Sequence, residues 1–82
     1  MKISQFHVKN QFIVTDDNGA TFFQSYSTLI AKKQNGKITL DKDSWDYSKT
    51  TGKYRNLFLG EDKKETERKI QDGTYQLANL NG

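Results

Sequence analysis

The sequence predicts one α+β domain over residues 1–82. It has a small antiparallel β-sheet of four to five strands, then one or two short helices, then a closing C-terminal strand. Three observations predict this. Runs of β-branched and aromatic residues in the first half are separated by Asp16-Asp17-Asn18-Gly19 and Asn35-Gly36, which carry turn chemistry. After Asp46 the apolar spacing changes from alternation to i, i+3, i+4 at Tyr54, Leu57 and Phe58, the spacing of one helical face. The chain then closes on TYQLANL, residues 74–80, which alternates again.

Taken in order, residues 3–8 form an initial strand. QFIVT, residues 11–15, is β-branched and aromatic and forms the next. Asn18 and Gly19 tolerate the positive φ that a tight reversal needs. ATFFQSY, residues 20–26, is the hairpin partner, with Phe22, Gln24 and Tyr26 on one face and Phe23 and Ser25 on the other. TLIAKK, residues 28–33, is followed by Asn35-Gly36, the strongest hairpin signal in the chain, and KITLD, residues 37–41, returns from it. A two-residue turn there sets Gln34 opposite Lys37, Lys33 opposite Ile38 and Ala31 opposite Leu40.

Ser48, Thr50 and Thr51 can each cap a helix N-terminus by accepting an orphan backbone N–H. Gly52 inside that helix costs about 1 kcal/mol relative to Ala, so the sequence sets the start at or after it. Gly60 is a natural stop. Asp62-Lys63-Lys64-Glu65 opens a second, strongly charged helix that runs to about Asp72 and ends at Gly73. Ile70 is its only large aliphatic residue, so it is expected to pack weakly and stay mostly solvated.

The 82 residues are 33% hydrophobic and 12% aromatic. Five Phe, four Tyr and one Trp therefore supply much of a thin core, at about 150–250 Å² each. A homodimer would reinforce such a core, although no residue marks one. There is no Cys and no Pro, hence no disulfide framework or thiolate chemistry. No apolar run resembles a signal peptide or approaches the roughly 18 residues that span a membrane. The chain reads as soluble and intracellular, with no membrane partner.

The net charge of +3 is unevenly spread. Residues 31–55 carry Lys32, Lys33, Lys37, Lys42, Lys49, Lys53 and Arg55 against Asp41, Asp43 and Asp46. The flanking parts are neutral or slightly acidic. A local basic excess attracts a phosphate backbone or an acidic protein surface. It also serves simply as a solubilising face where signs are mixed.

Catalytic and metal signatures are missing. His7 is the only His and there is no Cys, so neither a zinc site nor a nucleophile–imidazole arrangement can be assembled. His7 reads as a surface or half-buried residue on an edge strand. Asp41-Lys42-Asp43 has the opening spacing of a calcium loop, but Trp45, Asp46 and Gly52 stand at the fifth, sixth and twelfth positions, where the loop needs Asp or Asn, Gly and Glu. Lys49-Thr50-Thr51-Gly52-Lys53 lacks the first Gly and the Ser or Thr after Lys of a phosphate loop. Free N–H groups, hydroxyls and two lysines at a helix start would still attract an anion, but simple capping is the preferred reading of them. No cofactor is indicated, and the chain does not read as an enzyme.

What remains is the aromatic–basic segment WDYSKTTGKYRNLFLG, residues 45–60. Tyr54 shares a face with Leu57 and Phe58 and belongs to the core, and Trp45 reads as a core anchor. Tyr47, Lys49, Lys53 and Arg55 are the surface residues, with Lys32, Lys33 and Lys37 as further contacts. Aromatics among cations suit base stacking and phosphate tracking. Tyr and Arg equally supply hot spots at protein interfaces.

The chain also resembles a family of small proteins encoded by tailed bacteriophages. The shared patterns are FxSY…IA (Phe23, Ser25, Tyr26, Ile30, Ala31), DYSxTTxKY…FLG (Asp46, Tyr47, Ser48, Thr50, Thr51, Lys53, Tyr54, Phe58, Leu59, Gly60) and a closing Y.L..LN (Tyr75, Leu77, Leu80, Asn81). They cover most of residues 22–81. The resemblance transfers no functional residue. It implies a phage product in bacterial cytoplasm. By analogy with small phage proteins, it implies direct binding to a host protein, such as a CRISPR or other anti-phage defence effector, or to nucleic-acid machinery.

Overall fold

The computed structural model describes all 82 residues. In chain order it comprises β1 (Lys2–Phe6), β2 (Val8–Thr15), β3 (Thr21–Ser25), β4 (Thr28–Gln34), β5 (Lys37–Asp41), α1 (Lys49–Leu59), α2 (Lys63–Gln71) and β6 (Gln76–Ala78). The α+β class, the helices and the closing strand are as the sequence predicts. The six strands form one sheet in the order β1-β2-β3-β4-β5-β6. Strands β1–β5 are an antiparallel meander. The closing strand joins β5 in parallel, with Leu40 opposite Leu77, so the sheet is mixed. Returning in parallel needs a long crossover, and α1 and α2 supply it.

Turn chemistry sets the hairpins. Asp16 Oδ1 accepts from Asn18 N–H and Ala20 N–H, each at 2.9 Å. Asn35 (φ 53°) and Gly36 (φ 75°) are both left-handed, as a two-residue reversal demands. The register follows: Ala31 faces Leu40, Lys33 faces Ile38 and Gln34 faces Lys37.

A bulge refines the core. The register shifts so that Phe23 pairs with Ala31 while Gln24 pairs with Leu29, leaving Ile30 extra. An extra residue bends a strand and re-aims a side chain, and here Ile30 and Ala31 are both fully buried. They join Phe23, Leu40, Tyr54, Phe58 and Tyr75 in one core cluster. Phe6 packs on it, with ring centroids 5.8 Å from Phe23 and 6.3 Å from Phe58.

Helix α1 begins earlier than the sequence predicts. Ser48 is its N-cap, with Oγ accepting from Thr51 N–H at 3.1 Å, and Gly52 lies inside the first turns. The cap, together with the buried Ser25–Thr51 hydroxyl contact at 3.0 Å, outweighs the helix cost of one glycine. Gly60 ends the helix in the left-handed region (φ 73°), its N–H donating to Asn56 O.

The buried face of α1 is Thr51, Tyr54, Arg55 and Phe58. The sequence reading of Leu57 as a core residue is corrected: Leu57 is 51% exposed. One polar residue and one cation occupy the face that aliphatic spacing alone would assign elsewhere.

Helix α2 is capped by Asp62, whose Oδ1 accepts from Glu65 N–H at 2.9 Å. It is better anchored than its composition suggests. Thr66 is fully buried and Ile70 packs on the core. Glu61, just before the helix, accepts from Thr66 Oγ1 (2.5 Å), Tyr75 OH (2.7 Å) and Lys69 Nζ (2.8 Å). This polar cluster ties α2 to the approach of β6. Burial pushes the Glu61 carboxyl up, but bonds from Lys69, Thr66 and Tyr75 outweigh it and hold it below its ordinary value.

The C-terminal tail is held by Asp41. Its buried carboxylate accepts from Leu80 N–H at 2.9 Å. Beyond it, Asn81 accepts from Leu29 N–H (2.8 Å) and donates to Leu29 O (3.1 Å), satisfying both backbone groups of that residue.

Candidate functional site

Asp46 lies in the connection between β5 and α1. Its Oδ1 accepts from Arg55 Nη1 at 3.0 Å and its Oδ2 from Lys63 Nζ at 2.6 Å. One carboxylate thus joins α1 to the start of α2. Burial pushes Asp46 up, but the hydrogen bonds from Lys63 and Arg55, then their charges, hold it below its ordinary value. Lys63 is pushed up in return by its bond to Asp46.

The sequence reading of Arg55 as a surface contact is corrected. Its side chain is 1% exposed. It sits on the buried helix face, where a guanidinium needs partners for its donors; both Nη atoms find them, while Nε is buried without one. Besides Asp46 it donates to Trp45 O (2.7 Å) and Asn56 Oδ1 (2.9 Å). It also lies over the Trp45 ring at 5.1 Å, a cation–π contact. Trp45, half-buried against the core, is an anchor as expected.

An open cleft of about 490 Å³ lies beside this ion-pair triad, lined also by Ser48, Lys49, Lys53 and Asn56. Lys49 and Lys53 form no ion pair with a carboxylate. They are four residues apart on α1, and Leu57 is four residues further on. Residues at i, i+4 and i+8 lie in one stripe, and all three are exposed. Tyr47, 52% exposed, stands just before the helix. The stripe is therefore two cations without a carboxylate partner, Lys53 lying 5.4 Å from the Tyr54 ring centroid, between an exposed aromatic and an exposed aliphatic residue.

Of the residues the sequence singles out, Tyr47, Lys49 and Lys53 are exposed, and the two lysines line one cleft. Leu57 and Lys63 belong with them, and sequence reasoning missed both. Leu57 is betrayed by its helical angle relative to Thr51 and Phe58. Lys63 carries no local signal, because its partner Asp46 is distant in sequence.

The remaining predicted contacts are elsewhere. Lys33 is turned inward: its Nζ donates to Phe58 O at 2.6 Å and lies 4.3 Å from the Phe58 ring centroid. Helix α1 has no basic residue in its last turn, and Lys33 supplies from the sheet the cation that a helix C-terminus favours. Its expected role as a surface contact is corrected accordingly. Lys32 and Lys37 are on a different part of the molecule, beside a shallow cleft of about 210 Å³ with Gln34, Asn35 and Thr39.

His7 is not within an edge strand. It occupies the junction of β1 and β2 with φ 66°, its ring stacked 6.3 Å from Tyr54. No group of three or more His, Cys, Asp or Glu side chains is placed to hold a metal ion. No helix is long and apolar enough to cross a membrane.

Comparison of the chain with curated proteins and with solved structures finds no match. Residues 2–73, which span β1 through α2 and include the whole α1 stripe and the Asp46 triad, match the model of a family of unknown function, DUF8033, and the chain belongs to that family.

Proposed function

We propose that the protein is a non-enzymatic binding module that docks the exposed stripe of α1 onto an acidic surface of a protein partner. The observation that carries this reading is the grouping of Tyr47, Lys49, Lys53 and Leu57, with neither lysine engaged by a carboxylate of its own chain. A mixed stripe of this kind suits a protein. Apolar and aromatic residues supply the central contacts, and the flanking cations set orientation and association rate. The triad of Arg55, Asp46 and Lys63 fixes the helix that presents it, so little ordering cost is left for binding.

The resemblance to small phage proteins supports a host protein as the partner, such as a CRISPR or other defence effector or a nucleic-acid-acting enzyme, met in the bacterial cytoplasm. The test is a tagged pull-down from bacterial lysate with and without nuclease. A stoichiometric protein that survives nuclease and is lost with Tyr47→Ala or Lys53→Glu supports the reading. Retention of that protein by both variants rejects the surface.

A further inference from the structure

The two faces of the sheet differ in kind. One cross-strand row is Ser4, Ile13, Phe23, Ala31, Leu40 and Leu77. Its central members form the core with Tyr54 and Phe58 of α1. The next row is Ile3, Val14, Phe22, Lys32, Thr39 and Gln76, and it also crosses all six strands. Side chains alternate across a pleated strand, so this second row looks away from the core. The core cluster that includes Tyr54 and Phe58 of α1 takes no member of the second row, although Val14 in that row is buried outside the cluster.

On the second side, two residues back along β2 from Val14, lies Phe12, diagonal to Phe22 across the β2–β3 pair. Diagonal neighbours are within reach of aromatic side chains. Both Phe rings are half-buried rather than enclosed. Lys32 Nζ lies 5.8 Å from the Phe22 ring centroid. Two residues along from Lys32 and Thr39, Gln34 and Lys37 pair across β4 and β5. They complete a shallow cleft of about 210 Å³ with no acidic lining. Neither the second row nor these flanking residues include an Asp or Glu.

We propose that this open face binds single-stranded nucleic acid, with bases stacked at Phe12 and Phe22 and phosphates paired with Lys32 and Lys37. Two chemical facts select this occupant. Half-exposed aromatics offer π-faces that every base can use, and nearby cations track the backbone. A second copy of the chain, the other natural cover for an apolar sheet face, is disfavoured by charge. Face-to-face pairing sets Lys32 and Lys37 against like charge, and the carboxylate on their side of β5, Asp41, is buried and already engaged by Leu80 N–H. A duplex is disfavoured because its bases are already stacked and leave the Phe pair unused. This surface is separate from the α1 stripe, and the two proposals stand or fall independently.

The test is fluorescence anisotropy with end-labelled 12-nucleotide oligothymidylate and oligouridylate, with a 12-base-pair duplex in parallel. Phe22→Leu keeps an apolar side chain of similar volume and loses the ring. It is expected to weaken single-strand binding by about 5- to 150-fold, the range for one stacked base. Lys32→Gln with Lys37→Gln is expected to reduce the slope of log affinity against log salt by about 1.4, for two phosphates on a single strand. Both variants should keep the wild-type circular dichroism spectrum. Lys49→Glu with Lys53→Glu should bind as wild type does. Absence of wild-type binding overturns the proposal, as does equal affinity for the duplex, or affinity unchanged by both sheet variants. Concentration-dependent dimerisation in sedimentation that Phe22→Leu abolishes also overturns it, because the occupant is then a second copy.

Discussion

Arg55 Nη1 stands 3.0 Å from Asp46 Oδ1, and the pair joins the interior of α1 to the loop that precedes it. A buried guanidinium cannot shed its charge, so its partner must be kept. Asp46→Asn removes the charge while preserving shape, and is expected to destabilise the fold by about 1.5–3 kcal/mol, the range for hydrogen bonds to charged groups. The urea midpoint reads this directly. Lys63→Gln, which removes the solvent-exposed arm of the same triad, is expected to shift the midpoint less. An Asp46→Asn midpoint equal to wild type contradicts the structural role given to the pair.

Acid stability follows from three carboxylates. Burial raises Asp41, Asp46 and Glu61, but hydrogen bonds from Leu80 N–H to Asp41, from Lys63 to Asp46 and from Lys69 to Glu61, with their further partners, bring each below its ordinary value. A depressed folded pKa means the unfolded chain binds the proton more readily. The contribution to stability is therefore fully present above the ordinary values of 3.8 for Asp and 4.5 for Glu, and is lost as pH falls through the lower folded values. Urea midpoints measured from pH 7 to pH 2 should hold steady and then fall below about pH 4. In Asp41→Asn the fall should be shallower.

Much of this fold is legible along the chain, and the reasons differ by element. The β4–β5 register is readable because Asn35-Gly36 admits one two-residue turn, which then fixes every later pair. The start of α1 is not readable from Gly52 alone, because the Ser48 cap and the buried Thr51–Ser25 contact act from outside the local propensity. Arg55 and Leu57 exchange their expected places because the buried helix face is partly polar, and aliphatic spacing cannot register a cation stacked on Trp45. The parallel pairing of β6 is set by contacts across two helices and by Asp41 holding Leu80. The candidate stripe is half legible: Tyr47, Lys49 and Lys53 stand out as types, while Leu57 and Lys63 emerge only from packing.

Gly52 has room for a side chain. A Cβ there would meet the Arg55 Nη atoms and Asp46 Oδ1 at 3.7 Å, ordinary contact. Gly52→Ala should therefore stabilise the helix by up to about 1 kcal/mol, read as a higher thermal midpoint. A lower midpoint would show that the triad cannot accept a methyl group beside it.

The Tyr75 hydroxyl donates to Glu61 Oε1 at 2.7 Å within the cluster that secures α2 and β6. Tyr75→Phe retains the buried ring and removes one hydrogen bond to a charged acceptor. A loss of about 1.5–3 kcal/mol is expected, read from chemical denaturation. Faster amide hydrogen exchange should appear around Lys69 and Tyr75, because Tyr75 N–H donates to Lys69 O there.

The claim that the α1 stripe docks onto a protein is tested most directly by pull-down with nuclease, comparing wild type with Lys53→Glu plus Leu57→Asp. Both residues are exposed, so the double variant should fold with an unchanged circular dichroism spectrum. One stoichiometric protein partner is expected that resists nuclease and disappears with the double variant. A partner retained at wild-type yield by the double variant, or recovery that vanishes with nuclease, would contradict it.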